Sequence, residues 1–168
     1  MNLGRMELAH EGPVSRLPNW VERGFYYRCM LPARALGVDF AGVAGDPPNI
    51  QFVTGLVGGV TKMPNPLHYD IVVMQQPRGA GWLKVMKTCQ AAGVKVLYEV
   101  DDWLHAIQNQ KDHDWREHFG KKDLAEFERC MKAADGMIVS TPFLARVYRS
   151  FNRNIFVCRN GLDLARYQ

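Results

Sequence analysis

Residues 70–75 read DIVVMQ and residues 94–100 read VKVLYEV, and these two stretches decide the fold. The first is a continuous apolar run after its acidic start, and the second is dominated by Val, Leu and Tyr. Such runs are typical of strands buried on both faces of a parallel sheet. Between them, apolar residues recur at helical spacing as far as Cys89, and Gly93 follows as a helix stop. The segment therefore predicts a strand–helix–strand unit.

The same unit repeats towards the end of the chain. The apolar spacing predicts a helix from about 122 to 134 and a strand over 136–140. Thr141 followed by proline is typical of a helix N-cap, and a final strand is predicted over 155–158. Strands that alternate with helices of this length predict an α/β fold, a three-layer Rossmann-like domain. We expect about six mostly parallel strands with helices on both faces.

The first third of the chain carries weaker signals. A helix is predicted across 25–36, with Pro32 limiting or kinking it, and strands are predicted over 38–43 and 50–53. Residues 1–23 are predicted to be an irregular N-terminal segment, and 54–69 a loop rich in Gly, Pro and Asn. Residues 1–168 then form a single domain, in which 160–168 is a truncated hinge.

The composition restricts the class of protein. Hydrophobic residues make up 47% and charged residues 23%, as in a globular domain. The net charge of +4 is scattered, so no specific nucleic-acid partner is predicted. There is no apolar run of membrane-spanning length and no signal peptide, so we expect a cytoplasmic location without a membrane span. The cysteines are far apart and are predicted to be buried, reduced thiols: Cys29, Cys89, Cys130 and Cys158.

Polar clusters follow three of the predicted strands, at 75–78, at 99–103 and at 140–141. Because ligands of open parallel sheets bind beyond the carboxyl ends of the strands, we expect these clusters to share one shallow pocket. Asp101 and Asp102 are the candidate catalytic residues, since paired acids can position or deprotonate a hydroxyl group, or bind a cation. The structural alternative is that one acid caps the following turn and the other is solvated. Adjacent acids fit an Asp-x-Asp metal motif poorly, and no metal site is predicted.

Cationic and polar side chains are the candidates for substrate binding. An arginine can grip an anionic group such as a phosphate, and the alternative for each is an ordinary surface position. The predicted substrate-binding residues are Arg28, Gln75, Arg78, Ser140, Thr141 and Asn160.

Four segments together resemble the N-terminal domain of a GT-B glycosyltransferase of the retaining family 4 type. Residues 27–37 (YRCMLPARALG) resemble the first helix of that domain, and 70–77 (DIVVMQQP) its strand followed by Gln-x-Pro. Residues 96–104 (VLYEVDDWL) are similar to a strand with paired acids in one branch of these enzymes. Residues 134–145 (ADGMIVSTPFLA) and 160–163 (NGLD) resemble the closing units and the hinge. The order and spacing of the four segments carry the likeness.

The resemblance covers about residues 24–166 and implies a Rossmann-like acceptor domain. In such enzymes the nucleotide-sugar donor is a co-substrate held mainly by the C-terminal domain, and no metal or other cofactor is normally required. The sequence has no counterpart of that donor domain. We therefore expect sugar transfer only together with a separate donor-binding domain or another protein partner, and no activity alone. The alternative is a non-catalytic binding or structural module derived from a glycosyltransferase fold.

Overall fold

The computed structural model describes residues 28–29, 32, 50–54, 69–107 and 120–161. Five strands and four helices lie in these ranges. In chain order they are β1 (Ile50–Thr54), β2 (Ile71–Gln75), α1 (Ala80–Ala91), β3 (Lys95–Val100), α2 (Leu104–Ile107), α3 (Lys121–Ala133), β4 (Gly136–Val139), α4 (Pro142–Tyr148) and β5 (Ile155–Val157).

The strands form one parallel sheet in the order β1-β2-β3-β4-β5. In the register, Gln75 on β2 lies opposite Glu99 on β3, and Val100 lies opposite Val139 on β4. The α/β class with a parallel sheet is therefore confirmed, as is the adjacency of the last four strands. Each strand is short, three to six residues, as the apolar runs predicted.

The main core lies on one face of the sheet. Side chains alternate along a strand, so Val96, Tyr98 and Val100 point to the same face, where all three are fully buried. The same core contains the apolar stripes of α1, α3 and α4. Right-handed crossovers between neighbouring parallel strands place successive helices on the same face, which explains this arrangement. On the opposite face, the described cover is a helical turn at Arg28 and Cys29.

Two predicted helix boundaries are confirmed in detail. Gly93, just after α1, has φ of 87°, a conformation that strains residues with a Cβ. The Thr141 hydroxyl accepts a hydrogen bond from the Leu144 N–H at 3.2 Å, and proline occupies the first turn of α4. Helix α2 was not predicted, because its single turn lies at the start of a polar segment. Its apolar residues Leu104 and Ile107 nevertheless join the core.

Part of the sequence-based prediction lies outside the described residues: the strand at 38–43, the irregular segment 1–23, most of the helix at 25–36 and the end of the hinge. One prediction about the cysteines is wrong. Cys158 is exposed, because it follows β5 at the edge of the sheet, whereas Cys29, Cys89 and Cys130 are buried as predicted. Within the ranges given above, no helix is both long enough and apolar enough to cross a membrane.

Candidate functional site

The carboxyl ends of the parallel strands bring polar residues to one edge of the sheet. The Ser140 hydroxyl, directly after β4, donates a hydrogen bond to the Asp101 carbonyl oxygen, directly after β3, at 3.1 Å. The Gln76 amide, directly after β2, donates to the Asp101 carboxylate at 3.3 Å. Three of the predicted polar clusters therefore meet at Asp101, which is the arrangement expected of a parallel sheet.

A buried ion pair underlies this edge. The Arg28 Nε lies 2.5 Å from the Glu99 carboxylate, and both side chains are at most 2% exposed. The Arg28 Nη1 also donates to the Cys158 carbonyl at 2.7 Å and to the Asn160 side-chain oxygen at 2.8 Å. Arg28 thus connects the end of β3 to the segment that follows β5, although these lie far apart in the sequence.

Three buried polar atoms beside this pair have no hydrogen-bond partner among the described residues. They are the Arg28 Nη2, the Gln75 Oε1 and the Glu99 Oε2. Gln75 and Glu99 are register partners on adjacent strands, so their side chains leave the same face of the sheet. Buried polar atoms are normally paired, because losing hydration without a replacement costs free energy. These three atoms are enclosed by the fold, because Arg28, Gln75 and Glu99 are at most 3% exposed, so the buried pair is only partly hydrogen-bonded within the described residues.

Burial changes the acidity of the carboxyl groups at this edge. It raises the pKa of Glu99 to about 8, although the adjacent Arg28 guanidinium acts in the opposite direction. Burial also raises the pKa of Asp101, and Arg28 again opposes the rise. A carboxyl group with a raised pKa is a stronger base when ionised, which is the property that proton transfer near neutral pH needs.

The backbone around the site contains one unusual conformation. Gln76 has φ of 45°, and it is the single non-glycine residue of the described ranges with positive φ. Its N–H donates to the Glu99 carbonyl at 2.9 Å, which holds the end of β2 against β3. This conformation directs its side-chain amide to Asp101. Backbone strain of this kind costs roughly 1–3 kcal/mol and is concentrated at functional sites.

The buried side chain of Tyr148 holds the turn that carries the paired acids. The Tyr148 hydroxyl donates to the Asp102 carbonyl at 2.7 Å and accepts from the Leu104 N–H at 2.9 Å. Tyr148 is fully buried on α4, whereas the side chains of Asp102 and Trp103 are exposed. The turn is therefore held through its backbone, and its side chains face solvent.

The remaining predicted site residues have partners within the fold. Arg78 contacts Asp123 at 3.4 Å and lies over the Phe127 ring, with its guanidinium carbon 5.5 Å from the ring centroid. The Ser140 and Thr141 hydroxyls make the two bonds described above. Shared hydrogen bonds or strand register bring five of the predicted site residues together at this edge: Arg28, Gln75, Asp101, Ser140 and Asn160. The side chain of Arg78 instead points towards α3. The roles of these residues in binding or catalysis stay predictions.

Glu99 and Gln76 belong to the site but were not among the predicted site residues. A signal for Glu99 was present, because it is a charged residue inside an otherwise apolar strand, where burial requires a partner. The only signal for Gln76 in the sequence was its position directly after a predicted strand. Its positive φ is not visible in the sequence.

Among the described residues, no group of three or more His, Cys, Asp or Glu side chains is placed to hold a metal ion. No protein-family model, curated protein or solved structure matches the chain. The chemistry of the carboxyl edge is therefore the main basis for a functional assignment.

Proposed function

We propose that this chain is the acceptor-side domain of a cytoplasmic GT-B-type glycosyltransferase. It binds a hydroxyl-bearing acceptor at the carboxyl edge of the sheet, while a separate donor-binding domain supplies the nucleotide sugar. The observation that carries the proposal is the convergence of three strand ends on the partly exposed Asp101, which the Gln76 amide and the Ser140 hydroxyl contact. The resemblance in segment order described above supports the same assignment.

The polar groups around Asp101 match the chemistry of a hydroxyl group. A hydroxyl donates one hydrogen bond and accepts others, so it can donate to the Asp101 carboxylate while it accepts from the neighbouring Gln76 amide. A phosphate, by contrast, offers mainly acceptors and is repelled by the Asp101 carboxylate. The mixture of donor and acceptor atoms therefore favours a neutral, hydroxyl-bearing group over an anionic one at this position.

Asp101 is the group best placed for proton transfer. Its carboxylate lies at the end of β3, oriented by the Gln76 amide at 3.3 Å. Its raised pKa makes it a competent base once it is ionised. In the proposed reaction Asp101 accepts the proton of the acceptor hydroxyl as the oxygen bonds to the anomeric carbon of the donor sugar. The bond from that carbon to the nucleoside diphosphate breaks at the same time, and the diphosphate leaves with the electron pair. The buried Arg28 guanidinium lowers the pKa of Asp101 against the effect of burial, which favours the ionised carboxylate that the reaction needs.

The proposal is tested by mapping ligand binding with backbone amide NMR spectra of the isotope-labelled chain. The probes are oligosaccharides, a phenol, a serine-containing peptide and UDP-glucose. We expect at least one hydroxyl-bearing acceptor to shift the amide signals of residues 75–78 and 99–103. We also expect UDP-glucose to bind the isolated chain with a dissociation constant weaker than about 1 mM, because the donor is held by the other domain.

Asp101→Asn separates binding from chemistry. The amide keeps the shape and a hydrogen-bonding oxygen, so acceptor affinity should change by less than about threefold. Transfer measured with the donor-binding domain present should fall by about a hundredfold, the usual scale of general-base catalysis. Asp135→Asn at the opposite edge is the matched control and should leave transfer unchanged. Micromolar binding of UDP-glucose to the chain alone, or acceptor shifts confined to the amino edge of the sheet, would refute the proposal.

A further inference from the structure

We propose that Trp103 and Phe143 form an aromatic platform that binds a sugar ring of the acceptor. This inference rests on the proposed function and makes it more specific, because it assigns the acceptor to the carbohydrates. Trp103 is 43% exposed and Phe143 is 46% exposed, two of the few large apolar side chains that the described residues leave in solvent. Their rings are in edge contact, with centroids 5.4 Å apart and planes at 72°.

The platform lies at the same edge as the polar site. Trp103 follows the paired acids directly, and Phe143 lies in the first turn of α4, two residues after Thr141. The Ser140–Asp101 hydrogen bond joins the two segments from which the rings project. A ligand on the aromatic rings therefore lies at the carboxyl end of β3, where the chain carries Asp101 and Asp102.

The two rings are held in position rather than loosely exposed. Tyr148 fixes the backbone on both sides of Trp103 through its bonds to Asp102 and Leu104. Phe143 is carried by a helix whose first turn is capped by Thr141. The edge contact between the rings restricts both side chains further. A surface that is already ordered before binding loses less conformational entropy when a ligand binds.

A sugar ring matches this combination of groups. One face of a pyranose presents only C–H bonds, and these slightly positive hydrogens are attracted to the negative face of an aromatic ring. The hydroxyl groups at the rim of the sugar can then donate hydrogen bonds to neighbouring carboxylates such as Asp102. An aromatic ring beside an exposed acid thus recognises both surfaces of the sugar.

A protein partner fits the platform less well. A stable protein interface buries about 800 Å² on each partner, and charged residues are depleted at its centre. Among the residues that the structure describes, this apolar surface consists of two side chains, and the exposed Asp102 and Thr141 are their near neighbours in the sequence. An apolar area of this size, with polar groups at its border, suits a single ring.

Saturation-transfer NMR with maltotriose, cellotriose and chitotriose as probes tests the inference. In the unmodified chain, at least one trisaccharide should bind, and the C–H protons of one sugar face should receive the strongest saturation. Trp103→Ala should weaken that binding at least tenfold and abolish the face-specific pattern. Phe143→Ala should weaken it about threefold, because the Trp103 ring loses its edge support. Trp103→Tyr, which retains an aromatic ring, should restore most of the affinity.

Phe156→Ala is the matched control, because Phe156 is equally exposed at 52% but lies on β5. It should leave trisaccharide binding unchanged, and thermal unfolding should show that each variant is folded. If trisaccharides bind equally well to Trp103→Ala, or if none binds, the inference is wrong. It is also wrong if Trp103→Ala instead dissociates an oligomer of the chain. A phenol or peptide that binds at residues 99–103 and is indifferent to Trp103→Ala removes the carbohydrate assignment and leaves the proposed function standing.

Discussion

The buried pair of Arg28 and Glu99 offers the most direct test of how the site is held together. At pH 9, where the Glu99 carboxyl group is mainly ionised, we expect Arg28→Met to destabilise the fold by about 3–5 kcal/mol, the usual effect of removing one partner of a buried ion pair. The substitution leaves the Glu99 carboxyl group, which is fully buried, without its guanidinium. The Cys158 carbonyl and the Asn160 side chain also lose a donor, but both residues are exposed and water can replace it.

A double-mutant cycle isolates the energy of the pair itself. Arg28→Met with Glu99→Leu replaces both charges by apolar groups of similar size, a change that is often nearly neutral. We therefore expect the double variant to lie within about 1 kcal/mol of the unmodified chain. The coupling energy between the two positions should then be at least about 3 kcal/mol.

The free energy of unfolding is measured by urea denaturation followed by circular dichroism, at pH 6 and at pH 9. Because burial raises the pKa of Glu99 to about 8, the carboxylate is present mainly at the higher pH, and the coupling should be larger there. The control cycle is the partly exposed pair of Lys132 and Glu128, which are 3.6 Å apart on α3. That cycle should give only about 0.3–0.5 kcal/mol. A coupling below about 1 kcal/mol for Arg28 and Glu99 at pH 9 would refute the reasoning.

The remaining predictions concern stability. The folded-state pKa of Glu99 is raised to about 8 from an ordinary value of 4.5. Its contribution to stability is therefore present below pH 4.5 and is lost as the pH rises to about 8. Glu99→Gln should flatten that decline in denaturation experiments, and an equally steep decline in the variant would contradict this reasoning. Tyr148→Phe should lower the free energy of unfolding by about 1–3 kcal/mol, because it removes two hydrogen bonds. Tyr98→Phe should be neutral or stabilising, because the buried Tyr98 hydroxyl has no partner among the described residues. Chemical denaturation of both variants tests this pair of predictions, and equal losses of stability would count against them. Gly136→Ala should lower the free energy of unfolding by about 1–3 kcal/mol, because the added Cβ would lie 3.1 Å from the Asn154 carbonyl oxygen. An unchanged melting temperature would show instead that the strand can shift to accommodate the methyl group.

Much of the fold was predictable from local patterns. The apolar runs of β2 and β3 and the helical stripe between them identify a parallel unit, because strand and helix periodicities are properties of short segments. The stop at Gly93 and the cap at Thr141 were equally visible, since turn and cap chemistry depends on one or two residues. The prediction that the polar clusters would meet at the carboxyl edge of the sheet followed from the parallel arrangement alone.

Less of the candidate site was predictable. The sequence marked Asp101, Asp102 and the polar residues after each strand, because their position at strand ends is a local fact. It did not show that the Ser140 hydroxyl would be used within the fold, because its partner, the Asp101 carbonyl, is set by how β3 and β4 pair. It also did not distinguish Arg28 from Arg78, although the first is buried in an ion pair and the second contacts α3.

The sequence by itself determined that this chain alternates strands and helices and that its polar clusters follow the strands. Only the tertiary structure decided which of those groups meet. Arg28 and Glu99 are 71 residues apart, and Tyr148 is 46 residues from the turn that it supports. Such contacts depend on the relative positions of whole elements, because a side chain acquires its burial, its partner and its pKa only when the sheet and helices have packed around it.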